Sequence, residues 1–212
     1  MNLRSRVTAL AVACGLAAAP LALASPAQAA PGSKSLASIL LADTKKGQPT
    51  FDDKGRDFDI LTAAVLAVLG DDPSSPVSVL TDGDVRLTAF IPTDAGFART
   101  AKDLGITANN EEKLTGKLVA ALGLGGIEEV LLYHVVRGVK INAKAASQSD
   151  GAKLEMANGQ KVTVNVKKNG AIFLKDRTKG VDNPQVIVTD INKGNKQIAH
   201  AINRVLLPVL PA

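Results

Sequence analysis

Few side chains in this 212-residue sequence are equipped for chemistry. There are two histidines, His134 and His200, one cysteine, Cys14, one tyrosine, Tyr133, and no tryptophan. A lone cysteine builds neither an internal disulfide nor a CxxC zinc or iron–sulfur site. Two histidines exclude a multi-histidine metal centre; a haem or metal role would have to use His134 and His200 together, and nothing in the sequence brings them close. Tyr133-His134 ends an apolar run, and His200 alternates with Ile198 and Ile202 on one strand face. An isolated imidazole on an apolar face reads as a buried group with hydrogen-bond partners. Pro92-Thr93-Asp94 contains a Thr/Asp pair, but its simpler chemistry is structural: Pro92 stops a strand, Thr93 caps the next helix and Asp94 complements that helix's positive end. No Ser, Cys or Thr stands in a nucleophile-elbow sequence, and the glycine-rich Gly123–Gly126 lacks the lysine of a phosphate loop. The acidic groups Asp52-Asp53, Asp71-Asp72 and Asp82-Gly83-Asp84 offer the oxygen ligands calcium prefers. None follows an EF-hand pattern, and they read as solvated loop charge. On these grounds no catalytic, cofactor or metal-ligating residue is assigned.

Residues 1–30 carry a positive start at Arg4 and Arg6, an apolar run from Val7 to Ala24, and small residues at Ala27 and Ala29. This is the pattern of a Sec-type signal peptide cleaved near Ala29. Arg4-Ser5-Arg6 is not a twin arginine. Cys14 lies inside the apolar run rather than at its end, so lipid anchoring through it is not expected. No later stretch is apolar for the ~20 residues a membrane span needs. The formal net charge is +5, from 25 Lys+Arg against 20 Asp+Glu. Two of those basic residues and no acid lie in residues 1–30, which leaves about +3 for a secreted, cysteine-free chain. With that charge and 3% aromatics, neither nucleic acid nor base stacking is expected. The pairs Lys45-Lys46 and Lys167-Lys168 read as solvated turns.

Residues 31–212 must supply the elements that position these side chains. Ser35 is placed to cap a helix from Leu36, and Asp57 or Asp59 to cap one carrying Leu61, Val65, Val68 and Leu69, closed by Gly70. Residues 43–57 and 70–84 read as long loops, the second with a short strand at Val77–Leu80. Val85–Ile91 is a buried strand, Asp94–Leu104 a helix, Glu111–Leu122 a helix closed by Gly123, and Ile127–Val136 a further helix. The period then changes to two. Lys161–Val166 alternates, Asn158-Gly159 and Asn169-Gly170 are hairpin turns, and Ala171–Leu174, Gln185–Ile191 and Gln197–Leu207 complete a meander. Helices first and antiparallel strands after make an α+β single domain.

Three segments together resemble a fasciclin-type (fasciclin-like adhesion) domain in a bacterial secreted form: Leu87–Phe97 (LTAFIPTDAGF), Leu131–Val136 (LLYHVV) and Ile198–Pro208 (IAHAINRVLLP). Asp57–Leu69 is similar to the family's early helix. The resemblance implies a single domain of N-terminal helices packed on an antiparallel β-sandwich or wedge. Pro92, Thr93, Asp94, Phe97, His200, Asn203 and Pro208 would then be motif residues, and Tyr133 and His134 would contact a partner. That partner would be a protein or polysaccharide of a cell surface or matrix, bound without enzymatic activity. A haem or small-ligand carrier and an unrecognised hydrolase are the alternatives. The family's glycine before the histidine and aspartate after it are Gln197 and Asn203 here. Loss of that carboxylate is expected to weaken a local salt bridge or turn contact.

Overall fold

The computed structural model describes residues 31–210. The expected signal peptide, its expected cleavage near Ala29 and Cys14 lie outside the described residues. Five α-helices run Leu36–Leu40 (α1), Asp59–Asp71 (α2), Asp94–Asp103 (α3), Glu111–Leu132 (α4) and Ala143–Ser147 (α5). Seven strands run Leu87–Pro92 (β1), Val135–Arg137 (β2), Lys153–Glu155 (β3), Lys161–Val166 (β4), Ile172–Lys175 (β5), Val186–Ile191 (β6) and Gln197–Ile202 (β7). This is the α+β arrangement expected. One sheet has the order β2-β1-β7-β6, the other β3-β4-β5.

The strands do not form a simple meander. The last strand, β7, lies parallel to the first, β1, in the middle of the four-stranded sheet, with Phe90 opposite His200 and Pro92 opposite Ile202. The remaining pairings are antiparallel. Side chains alternate across β1 and β7. Leu87, Ala89, Ile91, Ala199 and Ala201 pack under α2, α3 and α4. Phe90 and Ile202 turn to the other face, against Val162, Val164 and Leu174 of the second sheet and against Tyr133 and Leu206. A strand covered on both faces loses the polar half of its pattern, and all six residues of each strand are buried.

Local signals place most elements. The Ser35 hydroxyl accepts from Ser38 N, and Asn110 Oδ1 from Lys113 N, each capping a helix start. Gly159 and Gly170 take φ of 81° and 83° in the two hairpin turns, as the Asn-Gly pairs predict. Four expectations are corrected. Val77–Leu80 is part of a 3₁₀ turn over Pro76–Leu80, started by Pro76 and capped by the Ser75 hydroxyl. Gly70 does not end α2, which runs on to Asp71. The fourth helix stops at Leu132, because Val135–Arg137 is drawn into an antiparallel pair with β1. It is continuous with the third apart from a break at Gly123, whose φ of 65° and ψ of 171° are not helical. The final strand ends at Ile202 rather than Leu207.

No helix of the described residues is long and apolar enough to cross a membrane.

Candidate functional site

The residues singled out in the sequence are tied mostly to backbone groups rather than to one another. Tyr133 follows α4 and is fully buried; its hydroxyl donates to Lys161 O at 3.3 Å, and burial raises its pKa to about 12. His134 is 5% exposed. Its Nδ1 lies 2.6 Å from Val130 O, one of the carbonyls left unpaired at the helix end, and Leu206 N donates to its Nε2 at 2.9 Å. A ring nitrogen that accepts an N–H carries no proton, so the ring is the neutral Nδ1–H tautomer. Burial outweighs the carbonyl's pull and lowers its pKa to about 4. An exposed adhesion surface at Tyr133-His134 is therefore corrected: the two side chains clip the end of α4 to the segment after β7.

His200 has the opposite tautomer. Its Nδ1 accepts from Asp190 N at 3.4 Å and its Nε2–H donates to Ile141 O at 2.8 Å. Its ring stacks on Phe90 with centroids 5.8 Å apart, and burial lowers its pKa. In both histidines the two ring nitrogens are committed to backbone groups. Neither ring has a lone pair left for a haem iron or metal, and neither touches a hydroxyl that it would activate as a base.

Pro92-Thr93-Asp94 works as a structural corner. Thr93 Oγ1 accepts from Gly96 N at 3.2 Å, the cap expected for α3, and Thr93 N donates to Ile202 O. Phe97 is buried in the helix-side core, and Pro208 lies at its margin beside Leu207. Asp94 does not serve its own helix. Its carboxylate reaches back to accept from Asp59 N and Ile60 N, both at 2.9 Å, and so caps α2. This corrects the expectation that Asp57 or Asp59 is that cap. Asn203 makes a turn contact: its Oδ1 accepts from Gln185 N at 2.8 Å and its N donates to Gln185 O.

Gln197, treated in the sequence as a departure from the family pattern, holds three elements together. Its Oε1 accepts from Leu36 N at 2.7 Å, and its Nε2 donates to Val79 O and Asp82 O at 2.8 and 2.7 Å. The long segment 70–84 is therefore tied down, with Val77, Val79 and Leu80 in the core.

The acidic pairs separate into two kinds. Asp72 accepts from Ser74, and Asp84 pairs with Lys196 at 2.6 Å, both in exposed turns. Asp52 belongs to a different environment. One carboxylate oxygen each from Asp52, Asp57 and Asp59 lie within 4.8 Å of one another, and the same holds for Asp57, Asp94 and Glu111. Burial pushes up the pKa of Asp59, Asp94 and Glu111, and the neighbouring acids add to it.

A family model described as Fasciclin domain matches residues 73–208. The chain belongs to the fasciclin family. Its match takes in all three motif segments and leaves Asp57–Leu69 outside. Among solved structures, this fasciclin domain is similar to a FAS1 domain pair from the insect cell adhesion molecule fasciclin I, at 16% identity and a TM-score of 0.52. The likeness covers 84% of this chain and 52% of that one, so the chain spans about half the length of the pair. Curated protein sequences give no match. The fasciclin fold explains why the three motifs recur together: β1, the end of α4 and the β7 segment are one another's packing and hydrogen-bond partners.

Proposed function

We propose that this chain is a secreted, non-enzymatic fasciclin-domain module that binds a protein partner at a cell surface or in the surrounding matrix. Family membership supports the class, and the outer edge of the four-stranded sheet supports the binding. Among the described residues β6 pairs within its sheet only with β7, with register shifts on either side of Val188. Ile187 and Val188 on β6 are 47% and 50% exposed. They border a groove of about 490 Å³ that Arg56, Phe58, Arg99 and Ile191 also line. An edge strand offers unpaired N–H and C=O groups to an added strand, and exposed apolar side chains favour an apolar face on it. The two arginines favour acidic residues beside that strand. A polysaccharide fits this groove less well, since Phe58 is its one aromatic residue. Export is supported by residues 1–30, and mass spectrometry of the secreted protein should find it beginning at Ala30.

The test is retention of cell-surface and matrix fractions on the immobilised chain, before and after protease treatment of those fractions. Retention that protease abolishes supports the reading. Retention that survives protease and is lost to glycosidases reassigns the partner to a polysaccharide, and no retention from any fraction overturns the binding role.

A further inference from the structure

The segment that leads into α2 and includes its first residue reads Asp52-Asp53-Lys54-Gly55-Arg56-Asp57-Phe58-Asp59. It folds three of its four acids together instead of spreading them into solvent. Clustered carboxylates alone mean little, but here two oxygens lack the partners that buried polar atoms normally have. Asp59 is 3% exposed, and its Oδ2 has no hydrogen-bond partner among the described residues; the same is true of Asp57 Oδ1. The neighbouring acids are already used. Asp94 caps α2 with both oxygens, while Glu111 Oε2 accepts from Asp53 N and Asp53 Oδ1 from Glu111 N. The ion pairs of the described residues bring one cation to this loop, Lys54 on Asp52 at 2.5 Å, at its exposed rim. Three carboxylates this close repel unless a proton or a cation joins them, and two of them carry a buried oxygen without a partner.

We infer that Asp52, Asp57 and Asp59 form a binding site for a hard divalent cation of the calcium class. Calcium is favoured over magnesium because the donors are all carboxylate oxygens, two from an irregular loop and one from the first residue of α2, which suits a large, adaptable coordination shell better than a strict octahedron. Asp52, with its side chain 26% exposed, is the entry side, and the cation would displace the Lys54 ammonium there. Asp57 and Asp59 supply the oxygens that now have no partner.

The test is calorimetric titration and thermal melting of the EDTA-treated chain in CaCl₂, with MgCl₂ as the comparison. The expected result is saturable calcium binding and a melting temperature several degrees higher, with magnesium weaker by at least tenfold. Asp59→Asn should abolish the calcium-dependent rise while melting in EDTA at or above the wild-type temperature, because it removes a buried like charge. Asp52→Asn, at the rim, should fold normally and weaken calcium binding at least tenfold. A wild-type melting temperature and calorimetric trace unmoved by ~10 mM CaCl₂ would overturn the site. So would calcium binding that both variants leave intact.

Discussion

His134 and His200 are held in opposite tautomers by backbone groups, and this decides what each can do. A protonated His134 would turn an N–H toward Leu206 N–H, so the folded protein keeps the ring neutral down to about pH 4. An unfolded histidine takes its proton near pH 6.5. Between those values the unfolded chain binds more protons, so the ring's contribution is complete above pH 6.5 and is lost as pH falls toward 4. The loss should reach about 3 kcal/mol. The buried acids Asp59, Asp94 and Glu111 act in the opposite direction, since a folded pKa above the unfolded one favours folding toward acid. Denaturation from pH 4 to 8 on wild type and His134→Gln separates the two: their stability difference should shrink on acidification by that amount. An NMR titration of the ring with its midpoint near 6.5 would show instead that His134 meets solvent. The sequence already favoured buried, hydrogen-bonded histidines, because an imidazole between apolar neighbours has few other options. Which backbone groups satisfy them was not legible, since Leu206 lies 72 residues from His134 and Ile141 lies 59 from His200.

Elements were readable wherever their signal is local. Thr93 and Ser35 cap the helices that follow them, and Asn158-Gly159 and Asn169-Gly170 make the hairpins. Signals that cross the chain were not readable. Asp94 is spaced like a helix-start acid for α3, yet it caps α2 because the corner after β1 brings it to the end of that helix. Asp57 and Asp59 look like caps for α2, yet each leaves a buried oxygen without a partner. Val77–Leu80 has strand composition, but Pro76 and the Ser75 cap start a 3₁₀ turn. Gln197 shows the largest gap between its sequence and its structural role. A glutamine at the start of a strand carries no mark of binding α1, the 3₁₀ turn and the Asp82 turn at once. Gln197→Leu would strand one buried N–H and two carbonyls, and should lower stability by about 2–4 kcal/mol in urea denaturation. A loss below ~0.5 kcal/mol would mean that the three elements hold together without it.

Across the described residues, the motif residues build the frame, and the proposed recognition falls to the outer surfaces. The two central strands join helices on one side to a second sheet on the other, and the three motif segments meet at that join. Their shared presence identifies the fold, while the binding role has to be sought where side chains face solvent. Family membership was legible because the frame needs particular residues at fixed places. The proposed contact surface was not, since exposed β6 positions such as Ile187 and Val188 read in sequence as ordinary strand residues. The most direct measurement is the binding of Ile187→Glu/Val188→Glu to the cell-surface and matrix fractions that the wild-type chain retains. With an unchanged melting temperature, the variant should lose at least tenfold in affinity. Undiminished binding by the folded variant would contradict the account and move the recognition surface elsewhere on the domain.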